Sequence, residues 1–407
     1  MDSQKATVSA STPHVDHAAL IAGRLRHIEG SPTLALAAKA KALAKAGKPV
    51  LDFTAGEPDF PTPDPIKQAA QLALDANQTK YTPVAGIPEL RTAITNVINC
   101  QHGTQYSASQ VVVSCGAKHS LYNIFQALCQ AGDEVIIFAP YWVSYPPLVA
   151  LAGAAPRIVE THEADGFLPD PEAVRRAITP ATKIIVVNSP SNPTGAVIDE
   201  SRLKAIARLA LERRLILVSD EIYDQLVYPP SIHHSLTRLV PEIVNQLILV
   251  GGVSKTYSMT GWRIGWALAP QPWAEAMTTL QSHATSNPTS ISQYAALAAL
   301  TGDQTPVATM RAEFQRRRDR IVAGLNAIAP LRCTTPGGAF YAWCNVMGLQ
   351  KPSEAIASQW LEELYVAVVP GEGFGAPGYV RLSFATSLTV IEEALQRLKT
   401  WVKDHSS

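Results

Sequence analysis

A lysine that follows an apolar run and a glycine pair is the residue of this chain best suited to covalent chemistry. The run LILV at 247–250 leads through Gly251 and Gly252 to Lys255. An ammonium group at the end of a buried strand loses part of its hydration, which lowers its pKa and favours the neutral, nucleophilic amine. A lone lysine is more often a surface residue whose charged end reaches water. The chemistry of Lys255 therefore depends on its neighbours.

Two charged residues, one eight residues after Lys255 and one after the preceding apolar run, indicate a phosphorylated aldehyde as its target. Arg263 lies in TGWRIG at 260–265, and a guanidinium fork matches the geometry of a phosphate. Asp220 follows the apolar run at 215–219, where its carboxylate would pair with a protonated ring nitrogen. A Schiff-base lysine with these two partners predicts a site for pyridoxal 5′-phosphate (PLP).

Further polar residues follow neighbouring apolar runs. The run at 183–188 leads to Asn192, and Tyr223 comes shortly after Asp220. Ligands of open α/β sheets bind beyond the carboxyl ends of the strands. If these runs are adjacent strands, their polar side chains and Lys255 meet at one end of the sheet.

Short apolar runs alternate with helical patterns through the middle of the chain, which predicts an α/β fold. Residues 121, 124, 125 and 128 are apolar, as one face of a helix requires. Continuous apolar strands between helices are typical of a mostly parallel sheet that is covered on both faces. The predicted strands are residues 111–114, 134–138, 183–188, 215–219, 247–250 and 264–269.

The C-terminal third has a different pattern, which predicts a smaller α+β domain. A helix near 306–328 precedes strands at 365–369 and 379–383, and a last helix covers 388–403. The polar start of the chain lacks a periodic apolar face and is predicted to be a disordered tail. The predicted division is a tail at 1–17, an N-terminal segment at 18–62 that packs with the small domain, a large domain at 63–305 and a small domain at 306–407.

Composition and charge exclude several classes of function. The chain has 407 residues with 34 Lys+Arg and 34 Asp+Glu, so its net charge of zero gives no electrostatic reason to bind nucleic acid. Its five cysteines form no Cys-x-x-Cys pair, so neither a metal site nor a disulfide framework is expected. The sequence shows no secretory signal and no membrane-spanning run, which predicts a cytoplasmic protein.

Several short motifs occur in a fixed order along the chain. Together they resemble the motifs of the fold-type I, class I aminotransferases, and the resemblance runs from about residue 20 to the C-terminus. It implies a PLP-binding large domain on a seven-stranded, mostly parallel sheet, a smaller α+β domain, and a homodimer with shared active sites. The motifs are AGEPDF at 55–60, KYTPVAGIPELR at 80–91, PYWVSYP at 140–146, NPTG at 192–195, SDEIY at 219–223, SKTYSMTGWRIG at 254–265, GAFY at 338–341 and VRLSFATS at 380–387.

The resemblance implies a role for each residue around the cofactor. Lys255 would bind PLP covalently and then move a proton between the substrate Cα and C4′ of the cofactor. Asp220 would pair with the ring nitrogen, and Tyr223 and Asn192 would bond the 3-oxygen. Trp142 would stack on the ring. The phosphate would contact backbone N–H groups of Gly116, Ala117 and Lys118, together with Ser254, Arg263 and, from across the dimer, Tyr81.

The same resemblance implies how the substrate is held. Arg381 would bind the α-carboxylate with help from the backbone of Gly56. Lys118 and Thr33, the latter in a helix predicted at 31–45, are similar to residues that hold a distal carboxylate in Iβ-type aspartate aminotransferases of bacteria and plants. The implied substrate contacts are Thr33, Gly56, Lys118, Trp142, Asn192 and Arg381.

These roles predict an aminotransferase that acts on aspartate or glutamate with 2-oxoglutarate or oxaloacetate by a ping-pong mechanism. Three alternatives stay open. The first keeps the fold but uses an aromatic amino acid, kynurenine or prephenate, and the second is a β-lyase or another specialised PLP enzyme. The third is a PLP-sensing transcription regulator, which needs a winged-helix domain that the roughly 20 residues before the match do not provide.

Overall fold

The computed structural model describes residues 16–25, 28, 30 and 32–405, without the side chains of residues 32–35. The tail predicted at 1–17 therefore lies outside the described residues, except for its last two positions. Among the described helices, none has both the length and the apolar character needed to cross a bilayer.

The α-helices are α1 (Pro32–Lys45), α2 (Asp64–Asp75), α3 (Pro88–His102), α4 (Ala117–Leu128), α5 (Tyr145–Leu151), α6 (Pro171–Ala177), α7 (Glu200–Arg213), α8 (Leu236–Leu239), α9 (Gln271–Ala284), α10 (Ser290–Thr301), α11 (Thr305–Asn326), α12 (Ser353–Leu364) and α13 (Leu388–His405). The strands are β1 (Leu51–Asp52), β2 (Val111–Ser114), β3 (Glu134–Ala139), β4 (Ala155–Glu160), β5 (Thr182–Asn188), β6 (Ile216–Asp220), β7 (Leu247–Gly252), β8 (Gly265–Leu268), β9 (Arg332–Cys333), β10 (Tyr341–Asn345), β11 (Val366–Ala367), β12 (Val369–Pro370) and β13 (Tyr379–Ser383).

The main sheet has seven strands in the order β2-β8-β7-β6-β5-β3-β4. Only β8 runs antiparallel to its neighbours in this sheet, and the other pairings are parallel. Helices α2, α3, α7 and α10 cover one face, while α4, α5 and α9 cover the other. Because both faces are covered, the central strands are continuous apolar runs. The predicted α/β architecture is confirmed.

The strand order brings together the strand ends that carry the predicted site. β5, β6 and β7 are neighbours, and Asp220 at the end of β6 is aligned with Asn188 in β5 and Val250 in β7. Each of the six predicted strands occurs within two residues of its predicted ends. The expectation that three strand ends meet is therefore confirmed.

One strand of the main sheet is absent from the prediction. β4 has the sequence APRIVE, and only Val159 in it is buried. It lies at the edge of the sheet and pairs only with β3. An edge strand has a single neighbour and a partly solvated face, so it does not need the apolar run by which a central strand is recognised.

A second, four-stranded sheet in the order β12-β13-β10-β9 packs with α11, α12 and α13 around its own core. The N-terminal segment joins this part of the molecule through Leu51 of β1, which pairs with Val366 of β11. The single strand predicted at 365–369 is wrong, because the chain changes partner at Val368 from β1 to β13. The domain boundaries remain predictions.

Candidate active site

A cavity of about 320 Å³ lies beyond the carboxyl ends of β5, β6 and β7 and is lined by residues of both larger sheets. Its volume is in the range of small-molecule sites. The cavity brings together most of the predicted site residues. Those that line it are Gly56, Ala117, Lys118, Trp142, Asn192, Asp220, Tyr223, Ser254, Lys255, Arg263 and Arg381.

Lys255 lies on the turn that follows β7 and is half-buried. Its Nζ donates a hydrogen bond of 2.5 Å to the backbone oxygen of Gly56. Burial lowers the pKa of Lys255 to about 8, while nearby Glu57 raises it and Arg263 lowers it. An amine with this pKa is neutral in an appreciable fraction of molecules near neutral pH, as nucleophilic attack on a carbonyl requires.

Asp220 supplies a carboxylate that is only 3% exposed. Its Oδ2 accepts a hydrogen bond of 2.6 Å from the Tyr145 hydroxyl, and its Oδ1 accepts one of 3.3 Å from the N–H of Ile222. Burial raises the pKa of Asp220 to about 6, although both hydrogen bonds lower it. A buried carboxylate of this kind is stabilised by a cationic ligand, and a protonated ring nitrogen is one.

Arg381 and Asn192 meet in the cavity although they lie in different parts of the fold. Arg381 donates from Nη1 to Oδ1 of Asn192 at 3.0 Å and from Nη2 to the backbone oxygen of Thr54 at 2.9 Å. Because a guanidinium has only donors, this contact directs the Asn192 oxygen to Arg381 and leaves its NH₂ group to donate elsewhere. Arg381 is 2% exposed, and its Nε has no partner among the described residues. A buried cation with a spare donor suits a carboxylate ligand.

The start of α4 and Arg263 form an anion site. Gly116 precedes Ala117, the first residue of α4, and has a φ of +87°. A Cβ atom on Gly116 would lie 2.6 Å from Nη2 of Arg263, so glycine is needed for the guanidinium to approach this turn. Arg263 also donates to the backbone oxygens of Cys115 and Thr260. A helix N-terminus beside a guanidinium suits a phosphate.

Tyr223 is a buried donor at the same site. Its hydroxyl lies 2.9 Å from that of Tyr341, and the two rings meet edge to face. Burial holds the pKa of Tyr223 well above its usual value, so this hydroxyl stays protonated and can donate. Asn192 presents its amide NH₂ group as a second donor. Two donors of this kind suit an anionic oxygen on an aromatic ring.

These parts together fit PLP. The site offers Lys255 for the aldehyde, Asp220 for the ring nitrogen, and the start of α4 with Arg263 for the phosphate. Lys255, Asp220, Arg263 and Ala117, the first residue of α4, all line the same cavity of about 320 Å³. The donors of Tyr223 and Asn192 match the 3-oxygen, and the buried carboxylate of Asp220 matches the ring nitrogen. Gly116 leaves room for Arg263 at the phosphate.

Trp142 and Lys118 lie against each other in the cavity. Nζ of Lys118 is 4.9 Å from the centroid of the Trp142 ring, and Trp142 packs edge to face on Tyr145 at 5.4 Å. Partial burial lowers the pKa of Lys118, and Arg263 lowers it further. Thr33 belongs to α1, but its side chain lies outside the described residues. The structure therefore brings one of the two proposed contacts to a distal carboxylate into the cavity.

Tyr81 does not line the cavity of its own chain and is 91% exposed. The loop that carries it is held by two fully buried glutamines. Gln293 donates to the Thr82 hydroxyl at 3.0 Å, and Gln281 donates to the backbone oxygen of Val84 at 2.8 Å. Tyr81 is thus an exposed side chain on an anchored loop.

Two tyrosines line the cavity without being among the predicted site residues. Tyr145 bonds Asp220 and Tyr341 bonds Tyr223, across 75 and 118 residues of sequence. Both tyrosines lie inside motifs of the family resemblance, PYWVSYP and GAFY, and this was the available signal. Their partners are distant in sequence, so only folding reveals the contacts.

Known proteins resemble this chain along almost its whole length. A family model described as aminotransferase class I and II matches residues 48–398. The chain is 46% identical over 389 residues to an aspartate aminotransferase of Geobacillus stearothermophilus, which covers 94% of this chain and 99% of that protein. An aspartate/prephenate aminotransferase of Thermus thermophilus is 46% identical over 377 residues, covering 92% of this chain and 96% of that protein.

Solved structures agree with this family. An aspartate aminotransferase from Thermus thermophilus, crystallised with maleate, superposes with a TM-score of 0.90 at 44% identity, covering 93% of this chain and 99% of that one. A second, from Rhizobium meliloti, has a TM-score of 0.91 at 39% identity, covering 94% of this chain and 98% of that one. Sequence, fold and cavity lead to the same conclusion: the chain belongs to the class I and II aminotransferase family and is a PLP-dependent aminotransferase of fold type I.

Proposed function

We propose that this aminotransferase exchanges an amino group between aspartate or glutamate and 2-oxoglutarate or oxaloacetate. Four basic side chains line the cavity, and two of them, Lys255 and Arg263, are assigned to the cofactor. The observation that carries the proposal is that Lys118 lines the cavity as a cation in addition to Arg381. One arginine suffices for the α-carboxylate that every amino acid carries, whereas a second cation favours a substrate with a second carboxylate. The relatives named aspartate aminotransferase support this substrate class.

Three side chains of the cavity then have defined tasks. PLP, when bound, supplies an electron sink for the negative charge that develops at the substrate Cα. Lys255 would take the proton from the substrate Cα and return it at C4′ of the cofactor, a role that its pKa of about 8 suits near neutral pH. Asp220 would keep the ring nitrogen protonated, and Arg381 would orient the substrate through its α-carboxylate.

Replacing Lys118 with alanine should reduce kcat/KM for aspartate much more than for phenylalanine. The variant loses one charge-assisted hydrogen bond, worth about 1.5–3 kcal/mol, to a carboxylate that phenylalanine lacks. The expected fall for aspartate is about 10- to 150-fold, and for phenylalanine close to none. Initial rates with both donors and 2-oxoglutarate measure the two ratios.

Lys118→Arg is the matched control, because it keeps the positive charge and should lose less than the alanine variant. Equal losses for the two donors would indicate that Lys118 serves the phosphate instead of the substrate. A wild-type enzyme that prefers phenylalanine to aspartate would also contradict the proposal and favour the aromatic alternative.

We further propose a homodimer in which Tyr81 contacts the phosphate held by the partner subunit. Support comes from the exposure of Tyr81, which lies on an anchored loop yet outside the cavity of its own chain. Tyrosine is enriched at protein–protein interfaces relative to the rest of the protein surface. Each active site would then need residues from two chains.

Mixing inactive Lys255→Ala and Tyr81→Arg subunits should restore activity if the sites are shared. At equal concentrations, random exchange makes about half of the dimers mixed, and each mixed dimer has one intact site, so about a quarter of wild-type activity is expected. Rates after denaturation and refolding of the mixture measure the recovery. No recovery, with mixed dimers demonstrated by mass, would contradict an active site shared between subunits.

Prephenate is a second candidate acceptor. The observation that favours it is the similarity to relatives named aspartate/prephenate aminotransferase, at 46% and 44% identity. An assay with aspartate as donor and prephenate as acceptor tests it directly. Turnover of prephenate at a rate similar to that of 2-oxoglutarate would establish the wider specificity, and no turnover of prephenate would rule it out as an acceptor.

We propose a cytoplasmic location. Support comes from the cysteines, which are all free in the described structure, three of them buried. Unpaired thiols are typical of reducing compartments. Fractionation of cells that express the tagged protein tests this location.

A further inference from the structure

We propose that Tyr341 is a positioning residue that strengthens the hydrogen bond donated by Tyr223 and holds the guanidinium of Arg381 in place. The inference rests on the proposed roles of Tyr223 toward the 3-oxygen of PLP and of Arg381 toward the substrate. Tyr341 is the first residue of β10, is fully buried and lines the cavity. It contacts its two partners through different atoms, so the two contributions can be separated.

The hydroxyl of Tyr341 acts on Tyr223. The two hydroxyl oxygens are 2.9 Å apart, and either one can donate in the protein alone. The 3-oxygen of PLP is an acceptor, so once Tyr223 donates to it, Tyr341 must be the donor to Tyr223. A hydroxyl that accepts a hydrogen bond becomes a stronger donor itself. Tyr341 therefore strengthens the bond from Tyr223 to the cofactor.

The ring of Tyr341 acts on Arg381. The guanidinium carbon lies 4.4 Å from the centroid of the Tyr341 ring and 5.1 Å from that of Phe374. The sheet explains this contact, because Tyr341 is aligned with Ser383 across the antiparallel pair of β10 and β13, two residues from Arg381. A buried cation–π contact orients the guanidinium and compensates part of its lost hydration. The ring thus helps to present Arg381 to a carboxylate.

Tyr341→Phe tests the hydroxyl alone, because it keeps the ring beneath Arg381. The readout is the pH midpoint of the visible absorption band of the holoenzyme. A donor to the 3-oxygen stabilises the deprotonated form, in which that oxygen carries most charge, so a weaker donor raises the midpoint. One hydrogen bond strengthens the next by about 10–30%, and this variant removes that strengthening from the bond donated by Tyr223. The midpoint should therefore rise by about 0.1–0.7 pH unit. The dissociation constant of maleate, a dicarboxylate probe, should change less than about twofold.

Tyr341→Met removes both the hydroxyl and the aromatic ring. It should shift the absorption midpoint as the phenylalanine variant does. In addition, the dissociation constant of maleate should be about 2- to 30-fold higher than in Tyr341→Phe, because the cation–π contact with Arg381 is lost. Maleate binding is followed by the absorption change of the holoenzyme. If the methionine variant does not fold, Tyr341→Leu replaces it in the same measurement.

Tyr228→Phe is the matched control. Tyr228 is also fully buried, and its hydroxyl donates to the backbone oxygen of Ala339, away from the cavity. This variant should lose thermal stability but keep the wild-type midpoint and maleate affinity. The inference is overturned if the midpoint of Tyr341→Phe is unchanged or lower, or if the phenylalanine and methionine variants bind maleate equally. A wild type that forms no visible band with PLP would instead contradict the cofactor roles proposed above.

Discussion

Replacing Lys255 with alanine should abolish turnover while leaving PLP binding measurable. The variant loses the amine that would bind the cofactor covalently and also the general base at Cα, whose loss alone costs about 10²- to 10⁴-fold in rate. Asp220 and Arg263 line the same cavity, and their proposed contacts would hold the cofactor without a covalent bond. The measurements are kcat with aspartate and 2-oxoglutarate, and the cofactor retained after gel filtration.

Lys204→Ala is the matched control for this loss. Lys204 lies on the exposed side of α7, where it pairs with Glu200 one turn away. Its replacement should leave kcat at the wild-type value, because Lys204 does not line the cavity and the loss of an exposed ion pair should change stability little. A Lys255→Ala variant that retains more than about a tenth of wild-type kcat would contradict the role proposed for Lys255.

Replacing Arg381 with leucine should lower kcat/KM for every amino donor. Two hydrogen bonds from a guanidinium to the α-carboxylate are worth about 1.5–3 kcal/mol each, so the expected fall is about 10²- to 10⁴-fold. The values of kcat/KM for aspartate and phenylalanine should fall by the same factor, since both carry this carboxylate. This pattern differs from that of Lys118→Ala, in which kcat/KM falls for aspartate only. Rates with both donors measure it.

Arg381→Lys is the control that separates charge from geometry. It keeps a cation but not the planar fork, so its loss should be intermediate between wild type and the leucine variant. Because Arg381 also bonds Asn192 and Thr54, the melting temperature and the PLP absorption of each variant must be recorded. A leucine variant that loses activity with aspartate alone would indicate that Arg381 binds the distal carboxylate.

The sequence by itself determined the α/β fold and most of the residues of the site. Buried strands such as β5, β6 and β7 appear as apolar runs because helices cover both faces of the sheet. Polar residues directly after such runs, among them Asp220, lie at the carboxyl ends of strands, where ligands of these sheets bind. Gly116 before α4 is likewise a local signal, since a helix N-terminus binds anions. Each of these inferences depends on residues that are close together in the chain.

Only the tertiary structure decided which distant residues meet in the cavity. Arg381 bonds Asn192 across 189 residues, and Tyr341 bonds Tyr223 across 118. The edge strand β4 and the division between β11 and β12 also depend on which strands are neighbours. The pKa of Lys255 falls to about 8 because burial and charges from separate segments act on it together. These properties arise because separate segments of the chain pack around one cavity, and the burial that drives this packing is spread over many residues, so no local pattern specifies the individual contacts.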